Sequence, residues 1–216
     1  MQSPIALRIN QGLSFAHLPT FTVPEAVNGT FLNWGYGPSF NVHLPTANTW
    51  SSSPVSVSFK EDGNMTAETV YLKGWHIHAP ADHTVENDRS KAELHLVFGT
   101  ATGRERAVFA IRVDPGNTES AFFKSIPTPL ISYRETTKTV PSTVLNIRQL
   151  LSEVNMFSEF WTYRGSLTSP PCTEGIRFYV ARSVLYTSNK QMQNILRVCS
   201  YSARSEQEVW MHSINV

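Results

Sequence analysis

The tetrapeptide Trp75-His76-Ile77-His78 constrains this chain more than any other stretch. It lies in a run of strand-forming residues, and side chains on a strand point alternately to opposite faces. His76 and His78 therefore share one face, about 6.5 Å apart along the strand. Trp75 and Ile77 point the other way, into apolar packing. A second alternating run places Glu93, His95 and Val97 on one face and Leu94 and Leu96 on the other. Pairing the two runs brings three imidazoles together. Three neutral nitrogens supply three corners of a zinc tetrahedron and leave the fourth for water, the arrangement of a catalytic rather than a structural site. A lone histidine is ordinarily a surface or internally satisfied residue, so the grouping carries the argument. Cys172 and Cys199 are too few and too scattered for a structural zinc knot. They are compatible with one disulfide, two free thiols, or thiols whose partner is missing.

The rest of the sequence reads as β-rich. Short β-branched and aromatic runs recur at 55–59, 70–72, 92–98, 107–113 and 177–180, separated by Gly, Pro, Asn and Ser. Many of the 13 prolines fall between these runs and mark turns and strand ends. Helical signals are few. Thr118 or Asn117 caps a short helix over 119–125. Apolar residues at 147, 150, 151, 154 and 157 line one face of a helix over 145–157. Ser188 caps a helix over 189–197, with Met192, Ile195 and Leu196 inward. No repeat, linker or composition shift divides the 216 residues, so a single domain over 1–216 is expected. Its fold class is mainly β (α+β): a large central twisted, mostly antiparallel sheet with a few short peripheral helices. A formal net charge of +1 gives no basic face and no nucleic-acid partner. No stretch approaches the roughly 18 apolar residues of a membrane-spanning helix. Met1-Gln2-Ser3-Pro4 carries neither the basic nor the apolar region of a signal peptide. Two glycosylation acceptors occur, Asn28-Gly29-Thr30 and Asn64-Met65-Thr66.

Three separated motifs, in order, resemble one family. WHIHAPADHT at 75–84, AELHLV at 92–97 and WTYRGSLTSPP at 161–171 resemble the signature of the α-class carbonic anhydrases. Gln2-Ser3-Pro4 and Phe40-Asn41-Val42 add to the likeness, which runs to about Arg204 with divergence at 44–70 and 114–158. The short connection from His78 to His83 looks like that of fungal and bacterial members. The resemblance implies Zn²⁺ held by His76, His78 and His95, with Glu93 orienting His95. It implies that the Thr168 hydroxyl accepts from zinc-bound hydroxide and that Asp82 accepts the threonine proton. Val97, Val108 and Leu167 match the apolar wall for carbon dioxide, Ser169 lies at its mouth, and Asn41 lines the substrate side. The implied reaction is the reversible hydration of carbon dioxide to bicarbonate and a proton, with weak esterase activity beside it. The alternative is a catalytically silent carbonic-anhydrase-like binding domain. A zinc peptidase is a poorer reading, because His-Glu-x-x-His is missing and Glu93 reads as a support rather than a base.

Several positions depart from the family pattern. Asp82 replaces a glutamate, one methylene longer. Gly74 stands where a glutamine often supports the first ligand, so a backbone carbonyl or water is expected there instead. Pro38 occupies the position of the proton-shuttle histidine and does not titrate. His43, two residues beyond Asn41 on the same strand face, is a candidate substitute, but the plainer reading of a surface histidine is preferred, and the shuttle is left unassigned. Ser202-Ala203-Arg204 resembles a family Asn-x-Arg element. Cys172 matches a cysteine of extracellular members whose partner lies before the Gln-Ser-Pro segment. That implies secretion and a lost N-terminal segment with its leader, with a cytoplasmic location as the alternative.

Overall fold

The computed structural model describes residues 1–61 and 66–216. The acceptor Asn64 lies outside the described residues; Asn28 is exposed. In chain order the strands are β1 (Ala6–Leu7), β2 (Thr20–Thr22), β3 (Val27–Asn33), β4 (Pro38–Val42), β5 (Ser56–Phe59), β6 (Glu68–His78), β7 (Thr84–Val85), β8 (Ala92–Gly99), β9 (Glu105–Gly116), β10 (Thr139–Leu145), β11 (Phe160–Ser166), β12 (Glu174–Ala181) and β13 (Leu185–Ser188). Eleven of them form one sheet, whose main path runs β10-β3-β4-β6-β8-β9-β12-β11. Its pairs are antiparallel except where β12 and β13 run parallel to β9. β1 and β7 make a small separate parallel pair.

The period-2 pattern sorts the side chains onto two faces. Trp75 and Ile77 on β6 and Leu94 and Leu96 on β8 join the main apolar core. A smaller apolar cluster on the other face gathers Val97, Val108, Ala110, Trp161, Tyr163, Phe178 and Val180, with Leu167 packed against it. All eight residues of β8 are buried, which fits a strand covered on both faces.

Helices are short and peripheral. Ser120, not Thr118 or Asn117, caps α1 (Ala121–Ser125), its hydroxyl accepting from the Phe123 N–H. The expected helix over 145–157 is shorter. Leu145 ends β10, α2 spans Ile147–Ser152, and Asn155, Met156 and Phe157 have φ of 52–54° in a left-handed turn that breaks the helix. α3 (Asn189–Arg197) starts at Ser188 with a full capping box to Gln191. Met192 and Ile195 face inward, but Leu196 is 39% exposed, since the narrow buried stripe of α3 leaves it on the flank. Among the described residues no helix is long and apolar enough to cross a membrane.

One ion network ties the far end of the sheet together. Glu61 accepts from Arg106 on β9 at 2.7 Å, Arg164 on β11 at 2.7 Å, and Arg177 on β12. Burial pushes the Glu61 carboxyl up, and the hydrogen bonds and charges of Arg177, Arg164 and Arg106 outweigh it, so its pKa falls far below the usual carboxylate range. Because the folded pKa lies below the unfolded one of about 4.3, the contribution is complete above that value and disappears as pH falls toward the folded pKa. Glu61→Gln removes the carboxylate that Arg106, Arg164 and Arg177 share and is expected to cost about 3 kcal/mol in urea unfolding at pH 7. The gap to wild type should narrow below about pH 4. An unchanged midpoint at pH 7 would show that the network is energetically idle.

Candidate metal centre

β6 and β8 deliver the three histidines. His76 lies directly across from His95 in the register, and His78 lies across from Glu93. One nitrogen from each of His76, His78 and His95 falls within 4.8 Å of the others, and all three residues are buried. The Nε2 atoms of His76 and His78 stand 3.1 Å apart. Ligand nitrogens on a tetrahedral zinc with bonds of 2.0–2.1 Å are separated by about 3.3 Å. The ring partners fix which nitrogens are offered. His78 Nδ1 donates to the Ser202 carbonyl at 3.1 Å, leaving Nε2 with its lone pair. His95 Nε2 donates to Glu93 Oε1 at 2.6 Å, leaving Nδ1. The three inward nitrogens stand close enough together to share one ion, so the donor set fits a metal ion.

The electrostatics agree. Burial, then the neighbouring imidazoles, hold His76 well below its ordinary pKa, so it is neutral and able to donate. Burial also lowers His78, against the pull of Asp82. For His95 burial acts downward, but the hydrogen bond and charge of Glu93 win and raise it. Burial pushes Glu93 up, and His83 and His95 together bring it well below the carboxylate range.

Behind the three histidines runs a buried hydrogen-bonded chain. Glu93 Oε1 also accepts from His83 Nδ1 at 2.6 Å, and Oε2 accepts from the His83 backbone N–H at 2.9 Å. His83 Nε2 lies 2.7 Å from the Tyr163 hydroxyl, which reaches Ser3 Oγ at 3.0 Å. His83, Tyr163 and Ser3 all sit inside the sequence motifs, yet their joining needs three segments brought together and was not read from any one of them.

The other expected site residues divide. Val97 and Val108 are cross-strand partners in the smaller apolar cluster, with Leu167 against them. Thr168 is buried and Ser169 half-buried at the start of the turn, where the Ser169 carbonyl accepts from the Cys172 N–H. Asn41 shares the face of His76 but is exposed. His43 is exposed and pairs with Thr30 Oγ1 at 2.8 Å. The expected hydrogen bond from Thr168 to Asp82 is not made. Asp82 is one methylene short, its Oδ1 accepts from the Arg204 N–H at 2.8 Å, and its buried Oδ2 has no hydrogen-bond partner. Oδ2 instead lies 3.6 Å from His78 Nε2 and 3.9 Å from His95 Nε2. Both cysteines are free thiols.

Of the two supports expected for His76, the backbone carbonyl is not found: among the described residues no protein group hydrogen-bonds its buried Nδ1. Residue 74 has no room to help. β4 and β6 approach so closely that a Cβ on Gly74 would fall 2.2 Å from the Phe40 carbonyl oxygen.

Fold and donor set together define a protein built around a buried three-histidine centre on a large, mainly antiparallel sheet. Residues 1–214 match the eukaryotic-type carbonic anhydrase family, and the chain belongs to it. It is 31% identical over 134 residues to a carbonic anhydrase of Klebsiella pneumoniae, a match covering 59% of this chain and 52% of that protein. It is 30% identical over 146 residues to dioscorin dioA3 of Dioscorea japonica, covering 66% of this chain and 52% of the relative. The chain thus spans about half the length of these curated relatives. The solved α-carbonic anhydrase of Photobacterium profundum has the same fold, with a TM-score of 0.75 at 23% identity over 99% of this chain and 88% of that one.

The contact at position 74 yields a direct test. Gly74→Ala must separate β4 from β6 beside His76 and is expected to cost about 1–3 kcal/mol, the usual penalty for overpacking, read by thermal or urea unfolding. Wild-type stability in that variant would show that the two strands part freely.

Proposed function

We propose that this chain is a zinc enzyme that hydrates carbon dioxide reversibly, giving bicarbonate and a proton from carbon dioxide and water. The observation that carries the proposal is the donor geometry: partners on the far nitrogens of His78 and His95 leave Nε2 and Nδ1 free to meet Nε2 of His76. Zinc, when bound, supplies a hydroxide nucleophile at neutral pH by acidifying its water, as carbonic anhydrases exemplify. The chain's own residues do the rest. Three neutral imidazoles hold the ion and leave one position open. Glu93 fixes the ring of His95 so that Nδ1 faces inward. Val97, Val108 and Leu167 form a wall that asks no hydrogen bond of a substrate without a dipole. The Thr168 hydroxyl orients the nucleophile toward that wall. The proton passes to solvent, because Pro38 carries no titratable group. A weak ester hydrolysis by the same nucleophile belongs to this reading.

The unpaired Oδ2 of Asp82 favours a second reading, a family domain that binds without turnover. The two separate on zinc content and pH-indicator stopped-flow hydration of carbon dioxide. We expect one zinc per chain and measurable hydration, both lost in His95→Ala. Well-folded wild type without bound zinc would sink the proposal, and zinc without hydration would establish the second reading.

The Asp82 geometry gives a sharper outcome. Asp82→Glu restores the reach to Thr168 and is expected to raise kcat about fivefold, the rate equivalent of one net hydrogen bond of about 1 kcal/mol. An equal or lower kcat would refute the threonine–carboxylate relay in this chain.

A further inference from the structure

The turn 34–37 between β3 and β4 lays two aromatic rings on the ligand histidines. Trp34 stacks on His76 with centroids 5.0 Å apart and planes 30° from parallel. Tyr36 stacks on His78 at 5.2 Å and 13°, and meets His76 edge-on at 5.8 Å. The two rings also touch each other, edge to face at 6.4 Å.

We propose that Trp34 and Tyr36 are positioning residues that hold the imidazoles of His76 and His78 by stacking, in place of the hydrogen bond His76 lacks. This rests on the reading of His76, His78 and His95 as zinc ligands. Four observations carry it. His76 Nδ1 is buried with no protein group bonded to it among the described residues, so no hydrogen bond on that side of the ring sets its rotation. Residue 74 is barred from supplying one by the Phe40 carbonyl. Trp34 is 42% exposed, so its place over His76 is not a by-product of core packing. The turn itself is fixed in place.

That fixing is dense. Asn33 Nδ2 donates to the carbonyls of Ile131 at 2.9 Å and Val198 at 3.0 Å, and its Oδ1 accepts from the Gly35 N–H at 2.9 Å. The Tyr36 carbonyl accepts from the Ser200 N–H at 2.9 Å. Gly35 has φ of +90°, a conformation open to glycine. Gly37 passes so close to β6 that a Cβ there would lie 2.1 Å from the Ile77 carbonyl oxygen. The rings are thus held before any metal arrives, and the ordering cost is met in folding. An imidazole that gives a lone pair to a dication becomes electron-poor, and the electron-rich face of an indole or phenol attracts it.

The test compares two substitutions of similar bulk at Trp34. Trp34→Phe keeps an aromatic face, and Trp34→Leu removes it. The readouts are zinc Kd by competition with a chelator of known affinity, the rate of zinc release to excess chelator, and the visible spectrum of the Co²⁺-loaded protein. Loss of a group that orients a metal ligand typically costs 10–100-fold in affinity. We expect Trp34→Leu to weaken zinc about tenfold, to speed its release, and to broaden the Co²⁺ bands, with Trp34→Phe close to wild type. Thermal unfolding of the metal-free proteins checks that the fold is intact, and Tyr36→Leu against Tyr36→Phe repeats the comparison at His78. Equal Kd and release rates in folded Trp34→Leu, Trp34→Phe and wild type would overturn the inference while leaving the zinc reading in place. Wild type that binds no zinc would overturn both.

Discussion

A single carboxylate, Glu93, is the member on which the centre depends. It is fully buried, and a buried anion is costly unless paired and hydrogen-bonded. Three donors meet it: His95 Nε2, His83 Nδ1 and the His83 backbone N–H. Each bond has a second consequence. The bond to His95 decides which nitrogen of that ring faces inward. The bonds to His83 pull the connection after β6 back against β8, and through Tyr163 and Ser3 they join the N-terminal segment and β11 to the same point. The tautomer of one ligand and the packing of three distant segments are therefore one problem with one solution. Removing Glu93 would leave two imidazoles and a backbone amide buried without their acceptor.

The sheet explains why such precision needs no long loops. Ligands on paired strands inherit their spacing from the pleat and the register, both fixed by backbone hydrogen bonds. His76 opposite His95, with His78 one pleat along, leaves little for side-chain torsions to decide. Sites on strands hold their geometry more tightly than sites on loops. The cost appears where strands crowd. At Gly74 the close approach of β4 removes the position from which a side chain would brace His76, and Trp34 of the turn 34–37 stacks on that ring instead.

The legible part of the sequence was the part governed by period and cap. Alternation at 75–78 and 93–97 placed the histidines, the two opposed faces and the buried β8 strand. Ser188 placed the start of α3. What was not legible depends on segments far apart in sequence. His83, Tyr163 and Ser3 meet only after the sheet forms, and Trp34 and Tyr36 reach the ligands only because the glycines at 35 and 37 permit the turn. The helix expected over 145–157 failed for a different reason. Its apolar spacing is helical, but the left-handed turn at 155–157 keeps Val154 and Phe157 in the core by another route. Leu196 shows the same limit on a small scale, since spacing alone did not tell the centre of a buried stripe from its margin.

Asp82 is best understood through charge rather than through its single missing methylene. Its Oδ2 lies 3.6 Å and 3.9 Å from the Nε2 atoms of His78 and His95, buried, with no hydrogen bond. A neutral acceptor in that place would be an isolated polar defect of about 1–3 kcal/mol. Beside a dication it is a counter-charge. Glu93 and Asp82 together bring two carboxylates to the rim of the three histidines, an environment suited to a divalent ion. On the zinc reading proposed above, Glu93 would act on the ion through His95 and Asp82 through space. The shorter side chain gives up its reach to Thr168 and keeps its carboxylate against the histidines. On the same reading, that position would favour retention of the ion over orientation of the nucleophile.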